Sequence, residues 1–562
     1  MSTRRDPHYP ADTHEVVNQP PPLENVNLFD GDLALVEGLR REGGGWAEAQ
    51  VRSWGAELGL AESIELGRLA NRCPPELRSH DRFGHRIDEV EFHPAWHRVM
   101  GMAMAQGVHN LPWRHPQPGA HVARTAMHAM LSQIESGACC PLTMTFASFP
   151  TLRQQPELAR EWEERMLGSE YDPRMVPAEQ KSAVLIGMAM TEKQGGSDVR
   201  ANTTRARSLG KGGPGAEYEL VGHKWFCSAP MSDAFLALAQ TREKHDAPSC
   251  FLVPRWRPDG TRNPIHLQRL KDKLGNRSNA SSEIEFAGSW ARMIGEEGRG
   301  VHTILEMVHH TRLDCVSGSA GLMRQALAQA SHHVAHRSAF GRRLVEHPLM
   351  MNVVADLALE SEAATALMLR LARAYDEAAG ARGERALARI ATAVAKYWVC
   401  KRTPQMIYEA MECLGGNGYV EESNLARLYR EAPVNAIWEG AGNVICLDVL
   451  RAMRREPETI SAFLGELSLA AGGNPRLDAR VTELEADLSG AWDDERVARR
   501  LVERMALALQ ASLLVRGAPA YVADAFCASR LEGDAGLLYG TLPSGAALRE
   551  IIERAAPRLS ND

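Results

Sequence analysis

The sequence predicts an α+β chain, mainly helical, in which a block of short strands separates two helical regions. Three observations carry this. Apolar residues recur at helical spacing from Trp46 to about Met166, and again from Gly295 onward. Between those regions, short apolar or alternating runs are punctuated by clusters such as GKGGPG, PRWRPDGTRNP and GNRSNASS, the signature of strands and turns. The chain of 562 residues is long enough for about three or four domains at roughly 150 residues each.

Taken in order, residues 1–50 are rich in Pro, Asn and Gly (NQPPPLENVNLFDGD) and suit an extended arm lying on another surface. Val51, Trp54 and Leu58 begin a helix, and Val122, Ala126, Met130 and Ile134 mark another; Cys73-Pro74-Pro75 is a break. The strand-like runs are 183–190, 218–221, 234–239, 251–253 and 283–286. Val353, Leu357, Ala364, Leu367 and Leu371 then share one helical stripe, and Leu387, Ile390, Val394 and Trp398 another. The expected units are 1–182, 183–293, 294–451 and 452–562.

Hydrophobic residues at 44% and charged residues at 24% describe a water-soluble globular protein. No apolar stretch is long enough to span a bilayer and the N-terminus lacks the apolar core of a signal peptide, so a cytoplasmic location without membrane contact is expected. The ten cysteines form no C-x-x-C pair, and His309-His310 and His332-His333 lack metalloprotease spacing, so no metal is expected. A net charge of −7 gives no general attraction to nucleic acid.

The chemistry centres on IWEGAGN. Pro433 is expected to stop the helix arriving from Leu425, and Asn443 to cap the next one. Glu439 then lies on a break beside Trp438, with no sequence-near cation before Arg451. Desolvation there would raise its pKa toward the range of a general base. No G-x-G-x-x-G follows a strand, so any nucleotide cofactor is held without a Rossmann unit.

IWEGAGN, preceded by LGGNGY, resembles the catalytic-base region of the acyl-CoA dehydrogenase superfamily. Trp438 and the residues after Glu439-Gly440 narrow the likeness to its AidB-type alkylation-response flavoproteins. The resemblance covers nearly the whole chain. It implies the acyl-CoA dehydrogenase fold: N-terminal helical domain, central β domain and helical bundle, here with an extra C-terminal helical domain. It also implies non-covalent FAD in the groove between β domain and bundle. MTEKQGGSDV resembles T-E-P-x-x-G-S-D and puts Thr191, Gly196 and Ser197 at the cofactor, with Lys193 replacing the usual Pro. GHKWFCS resembles G-x-K-x-W-I-[ST] and puts Phe226 beside the flavin ring and Ser228 near N5. RSAFG, with Arg337 and Phe340, resembles R-x-x-F-G, whose Arg binds the FAD pyrophosphate of a neighbouring subunit. Gly415–Gly418, with Gly416, lets backbone approach that cofactor. A homotetramer, a dimer of dimers, is therefore implied.

Pro348 and Glu412 stand where the family commonly places glutamines near the ADP portion. Arg312 keeps the last position of D-x-T-R, at the CoA part of the substrate, but His309 replaces the Asp. Glu439 is the implied base and Trp438 a substrate neighbour, for an acyl-CoA or another small molecule. The tail from residue 451 holds 14 Arg and no Lys against 17 acidic residues. Arg451, Arg454 and Arg455 open it, and Arg496, Arg500 and Arg504 fall at i, i+4, i+8, with Val497, Leu501 and Met505 as the buried edge. The resemblance implies that this tail binds duplex DNA. Two functions follow: a DNA-associated alkylation-response flavoprotein with weak dehydrogenase activity, or a catabolic dehydrogenase of short or branched acyl-CoA.

Overall fold

The computed structural model describes residues 13–241, 247–490, 494–532 and 536–558. The first twelve residues of the expected arm lie outside it. The arm is shorter than expected, because helix α1 (Leu33–Arg41) begins at Asp32, whose carboxylate accepts from the Leu35 N–H. Helices α2 (Glu48–Leu58), α3 (Ala61–Arg72), α4 (Pro94–Ala105), α5 (Leu111–Arg114), α6 (Ala120–Ile134), α7 (Cys139–Leu152) and α8 (Pro156–Met166) build the first layer. A hairpin, β1 (Glu76–His80) and β2 (Arg86–Glu91), interrupts them where only helix was expected. Its residues are mostly polar and partly exposed, so no apolar alternation announced it.

The β domain is one sheet, with strands in the order β3 (Ile186–Ala189), β6 (Ala234–Ala239), β7 (Ser249–Pro254), β9 (Ser281–Ile294), β5 (Glu217–Ser228) and β4 (Arg205–Ser208). Strand β8 (Ile265–Leu270) pairs with β9. The β3–β6 pair is parallel and the other pairs are antiparallel. β6 and β7 are buried at every position, which explains their unbroken apolar runs. β4 and β8 carry too many polar residues to have been read as strands.

The bundle follows: α9 (Gly300–His336), α10 (Pro348–Glu377), α11 (Arg382–Cys413), the single turn α12 (Gly416–Tyr419), α13 (Asn424–Asn435) and α14 (Gly442–Arg455). α14 runs across the expected boundary at Arg451. α15 (Glu458–Ser468), α16 (Pro475–Ser489), α17 (Ala498–Gly517), α18 (Ala520–Leu531) and α19 (Leu548–Ala555) complete the chain. This C-terminal piece packs on α10 and α11 and shares their core. Buried ion pairs fasten it: Arg370 to Glu466, Arg530 to Asp356, and Arg554 to Glu362. Among the described residues no helix is long and apolar enough to cross a membrane.

Candidate active site

Glu439 lies between α13 and α14, but two local expectations about that break are corrected. α13 runs through Pro433 to Asn435, because a proline in the last turn forfeits only one hydrogen bond where the helix is ending. Asn443 does not cap α14; Ala441 holds the cap position without a side-chain bond, and the Asn443 Oδ1 accepts from Arg499 at 2.8 Å.

The break has a conformation of its own. Glu439 has φ 58° and Gly440 φ 107°. Left-handed backbone at a glutamate costs about 1–2 kcal/mol, and such strain persists where surrounding structure enforces it. Two cations do so. Arg312 of α9 donates to the Glu439 carbonyl at 3.0 Å, and Lys396 of α11 donates to the Gly440 carbonyl at 2.7 Å. The expectation of a base remote from cations is thus corrected, since both arrive from distant sequence. Burial still wins at the carboxyl: it raises the Glu439 pKa, while Thr311, Arg312 and Lys396 draw it partly back.

Arg312 is committed. Its Nη1 meets Asp448 at 2.7 Å, and Asp448 also accepts from Arg389 at 3.0 Å. Those two guanidinium groups overcome burial and hold the Asp448 carboxyl at about 2. Asp448, unremarked in the sequence, thereby supplies the acid that His309 displaced. Its signal was slight, a lone Asp in an apolar helix face. Trp438 donates to Asn435 at 3.1 Å and packs on the cluster that holds Phe146. A cleft of about 1620 Å³ opens against this layer, lined by His309, Arg389 and Asp448 and by Ser197 from the β domain.

The expected flavin residues form two groups. In the first, Glu192 is buried against Lys224 at 2.8 Å and accepts from both Thr203 and Thr204. This pins the turn carrying Thr191 to β5, and the Thr191 carbonyl accepts from Trp225 at 2.8 Å. Gly196 has no room for a side chain, since a Cβ there would come within 2.5 Å of the Thr191 hydroxyl. Ser197 is exposed at the cleft, Phe226 is 51% exposed on β5, and Ser228 lies 3.5 Å from Ser281. Lys193 lies over the Trp225 ring at 5.6 Å. The second group is Arg337, Phe340 and Gly416. The arm joins it: Arg337 donates to the Asn18 carbonyl at 2.7 Å and Asn417 reaches Gln19. Phe340 is 96% exposed. Gly415 combines φ 57° with ψ −140°, open to glycine alone, and nothing lies within 4 Å of a Cβ built there.

Among the described residues no hydrogen bond links the two groups. Both fit FAD: a half-exposed aromatic ring with a hydroxyl on one, an arginine fork and open glycine backbone on the other.

The tail arginines do not form the expected stripe. Arg496 precedes α17 in a 3₁₀ turn and is paired with Asp494 at 2.8 Å. Arg504 is paired with Asp487 and Glu483. Val497 is exposed, whereas Leu501 and Met505 are buried, because the helix starts after Val497. Asp493 lies outside the described residues. Arg500, Arg454 and Arg455 are exposed, and Arg451 and Arg455 line the cleft.

Comparison with known proteins gives one family throughout. Residues 18–173 match the Adaptive response protein AidB N-terminal domain, 187–289 the acyl-CoA dehydrogenase middle domain, and 298–454 the acyl-CoA dehydrogenase C-terminal domain. The AidB protein of Escherichia coli (strain K12), named as an acyl-CoA dehydrogenase, is 47% identical over 93% of this chain and 96% of its own. The Caenorhabditis elegans ACDH-11 structure, in complex with C11-CoA, superposes with a TM-score of 0.83 at 26% identity, covering 99% of this chain and 94% of that one. An acyl-CoA dehydrogenase complexed with FAD from Bacillus anthracis shares the fold, with a TM-score of 0.62 at 16% identity over 82% of this chain and 85% of that one.

Proposed function

This chain belongs to the acyl-CoA dehydrogenase family, in its AidB-type branch, and is an FAD-dependent oxidoreductase acting on CH–CH groups; from that premise we propose that Glu439 is its catalytic base. The observation that carries the proposal is the strained Glu439-Gly440 turn, gripped at both carbonyls by Arg312 and Lys396. Strain held by two cations from separate helices aims one carboxyl at one place. Glu439 takes the proton α to an acyl thioester carbonyl, and its raised pKa brings its basicity nearer to that of the carbon acid. Bound FAD would supply the acceptor for the hydride leaving the β carbon. Arg312 and Asp448 position the base, and Trp438 walls the site with the apolar cluster that excludes water. An acyl-CoA is the substrate class; the ACDH-11 structure holds one.

The exposure of Phe340 and the family likeness support a dimer in which Arg337, Phe340 and Gly416 of one copy complete the flavin site of the other. Paired dimers form the tetramer. We assign the domains as expected from sequence, with the fourth beginning after α14.

The same branch supports a role in the alkylation response, with duplex DNA as partner and with protection of DNA or inactivation of alkylating agents as the outcome. Exposed Arg455 and Arg500 favour it, whereas Arg496 and Arg504 are engaged by acidic neighbours. Truncating the tail would take Glu466 from Arg370, leaving it Glu384 alone, and would strip the arginines from Asp356 and Glu362, so point variants are the cleaner test. Duplex DNA is titrated by fluorescence polarisation at two salt concentrations, beside an acyl-CoA dye-reduction assay. Contact with phosphate gives a log–log salt slope of about −0.9 per phosphate, reduced by about one unit in Arg455→Ala and in Arg500→Ala. An unchanged slope in both removes the DNA role and leaves the catabolic dehydrogenase.

A further inference from the structure

The cleft carries a polar feature that the base and the flavin groups do not use. His121, at the start of α6, has its Nδ1 2.9 Å from Asp376 of α10. The same carboxylate accepts from the backbone N–H groups of His121 and Val122 at 2.9 and 3.3 Å. A carboxylate accepts and does not donate, so Nδ1 carries a hydrogen; in the neutral ring Nε2 then holds the lone pair. The two side chains are 10% and 3% exposed, and Nε2 is buried with no hydrogen-bond partner. Aromatic rings surround the imidazole, with centroid-to-centroid separations of 5.4 Å for Trp113, 5.8 Å for Phe146 and 6.1 Å for Tyr375. His310 follows at 5.9 Å; its Nδ1 donates to the Glu306 carbonyl, so its Nε2 is also an acceptor. His121, His309 and His310 all line the cleft, and the His309 Nε2 is again buried without a partner.

Helix capping accounts for Asp376 and for the Nδ1 hydrogen. It does not account for the orphaned Nε2, because a phenylalanine would fill the same box and leave nothing unsatisfied. Among the described residues no group of three or more His, Cys, Asp or Glu is placed to hold a metal. Burial, with Arg389 and Arg312, pulls the His309 pKa down to about 3, and burial beside His121 does the same for His310, so both are neutral near pH 7. Neutral His309 and His310 beside this aromatic box favour a neutral donor.

We propose that His121 is a specificity-determining residue whose Nε2 accepts a hydrogen bond from an O–H or N–H of the substrate held in this cleft. The inference rests on the acyl-thioester reading of the site. Such a donor has two sources in an acyl-CoA: a hydroxyl on the acyl chain, or the hydroxyl and amide N–H groups of the pantetheine arm. A plain alkyl chain offers none.

The test is calorimetric binding of hexanoyl-CoA and of 4-, 5- and 6-hydroxyhexanoyl-CoA to the FAD-loaded protein, in a Glu439→Gln background so that bound ester is not turned over. His121→Phe is compared with His121→Gln, which restores an acceptor. His121→Met repeats the measurement if the Phe variant does not fold. An acyl hydroxyl as donor makes one hydroxy ester bind tighter than hexanoyl-CoA, with that preference lost about tenfold in His121→Phe and recovered in His121→Gln. A pantetheine donor weakens all four esters by the same factor. Unchanged affinity for every ester in His121→Phe overturns the proposal and leaves the acyl-thioester reading standing. Absence of binding of any ester to the protein with His121 intact overturns both.

Discussion

Replacing Glu439 by Gln and by Gly separates the chemistry of this residue from its conformation. Gln keeps the size and loses the base, so dehydrogenation measured by dye reduction falls by roughly 10²–10⁴, the usual share of general-base catalysis. Gly loses the base and also relieves the backbone, since φ 58° costs a glycine nothing and a glutamate or glutamine about 1–2 kcal/mol. Against this stands the greater freedom of glycine in the unfolded chain, about 0.4–1 kcal/mol. The Arg312 and Lys396 bonds go to backbone carbonyls and survive both substitutions. The balance is about 0.5–1 kcal/mol in favour of Gly over Gln. A 1 kcal/mol change moves Tm by about 2–4 °C in a unit of 150–250 residues, so in this larger chain Glu439→Gly should melt ~1 °C above Glu439→Gln. Differential scanning calorimetry with FAD in excess reads this. A Gly variant melting several degrees below the Gln variant would refute the strain argument, and full dye reduction by the Gln variant would remove Glu439 as base.

Other outcomes follow from the same geometry. Arg312→Lys leaves a point charge where a fork bridges the Glu439 carbonyl and Asp448, and kcat should fall about tenfold with KM nearly constant; a change in KM alone would return Arg312 to substrate binding. Glu431 is buried near Glu135, and burial raises its pKa to about 7. A carboxyl raised in the folded state contributes stability that is present below its ordinary pKa of 4.5 and lost as pH rises through about 7. Thermal stability should therefore decline between about pH 4.5 and 7 in the native protein and decline less in Glu431→Gln. Parallel declines would show that Glu431 is not the titrating group.

Some of this was legible in the order of residues and some was not. Period-2 and period-3.6 apolar patterns are local, so the alternation of helical, β and helical regions could be read directly, as could the motifs around Thr191, Ser228, Arg337 and Glu439. Elements lacking an apolar face escaped: the β1–β2 hairpin and β4 are held by pairing and by neighbours, and their sequences say little. Pro433 and Asn443 show the limit of local rules, because α13 runs two residues past the proline and α14 starts one residue before the asparagine. The tail stripe failed for a related reason: spacing of four marks a helix face only where the helix extends, and α17 starts after Arg496. The sequence by itself determined the order of the helical and β regions and singled out Glu439 as the proposed base. Only the tertiary structure decided what surrounds that base, since Arg312, Lys396 and Asp448 are separated along the chain and meet at Glu439 solely because α9, α11 and α14 pack together. Charges brought together in this way leave no periodicity to read.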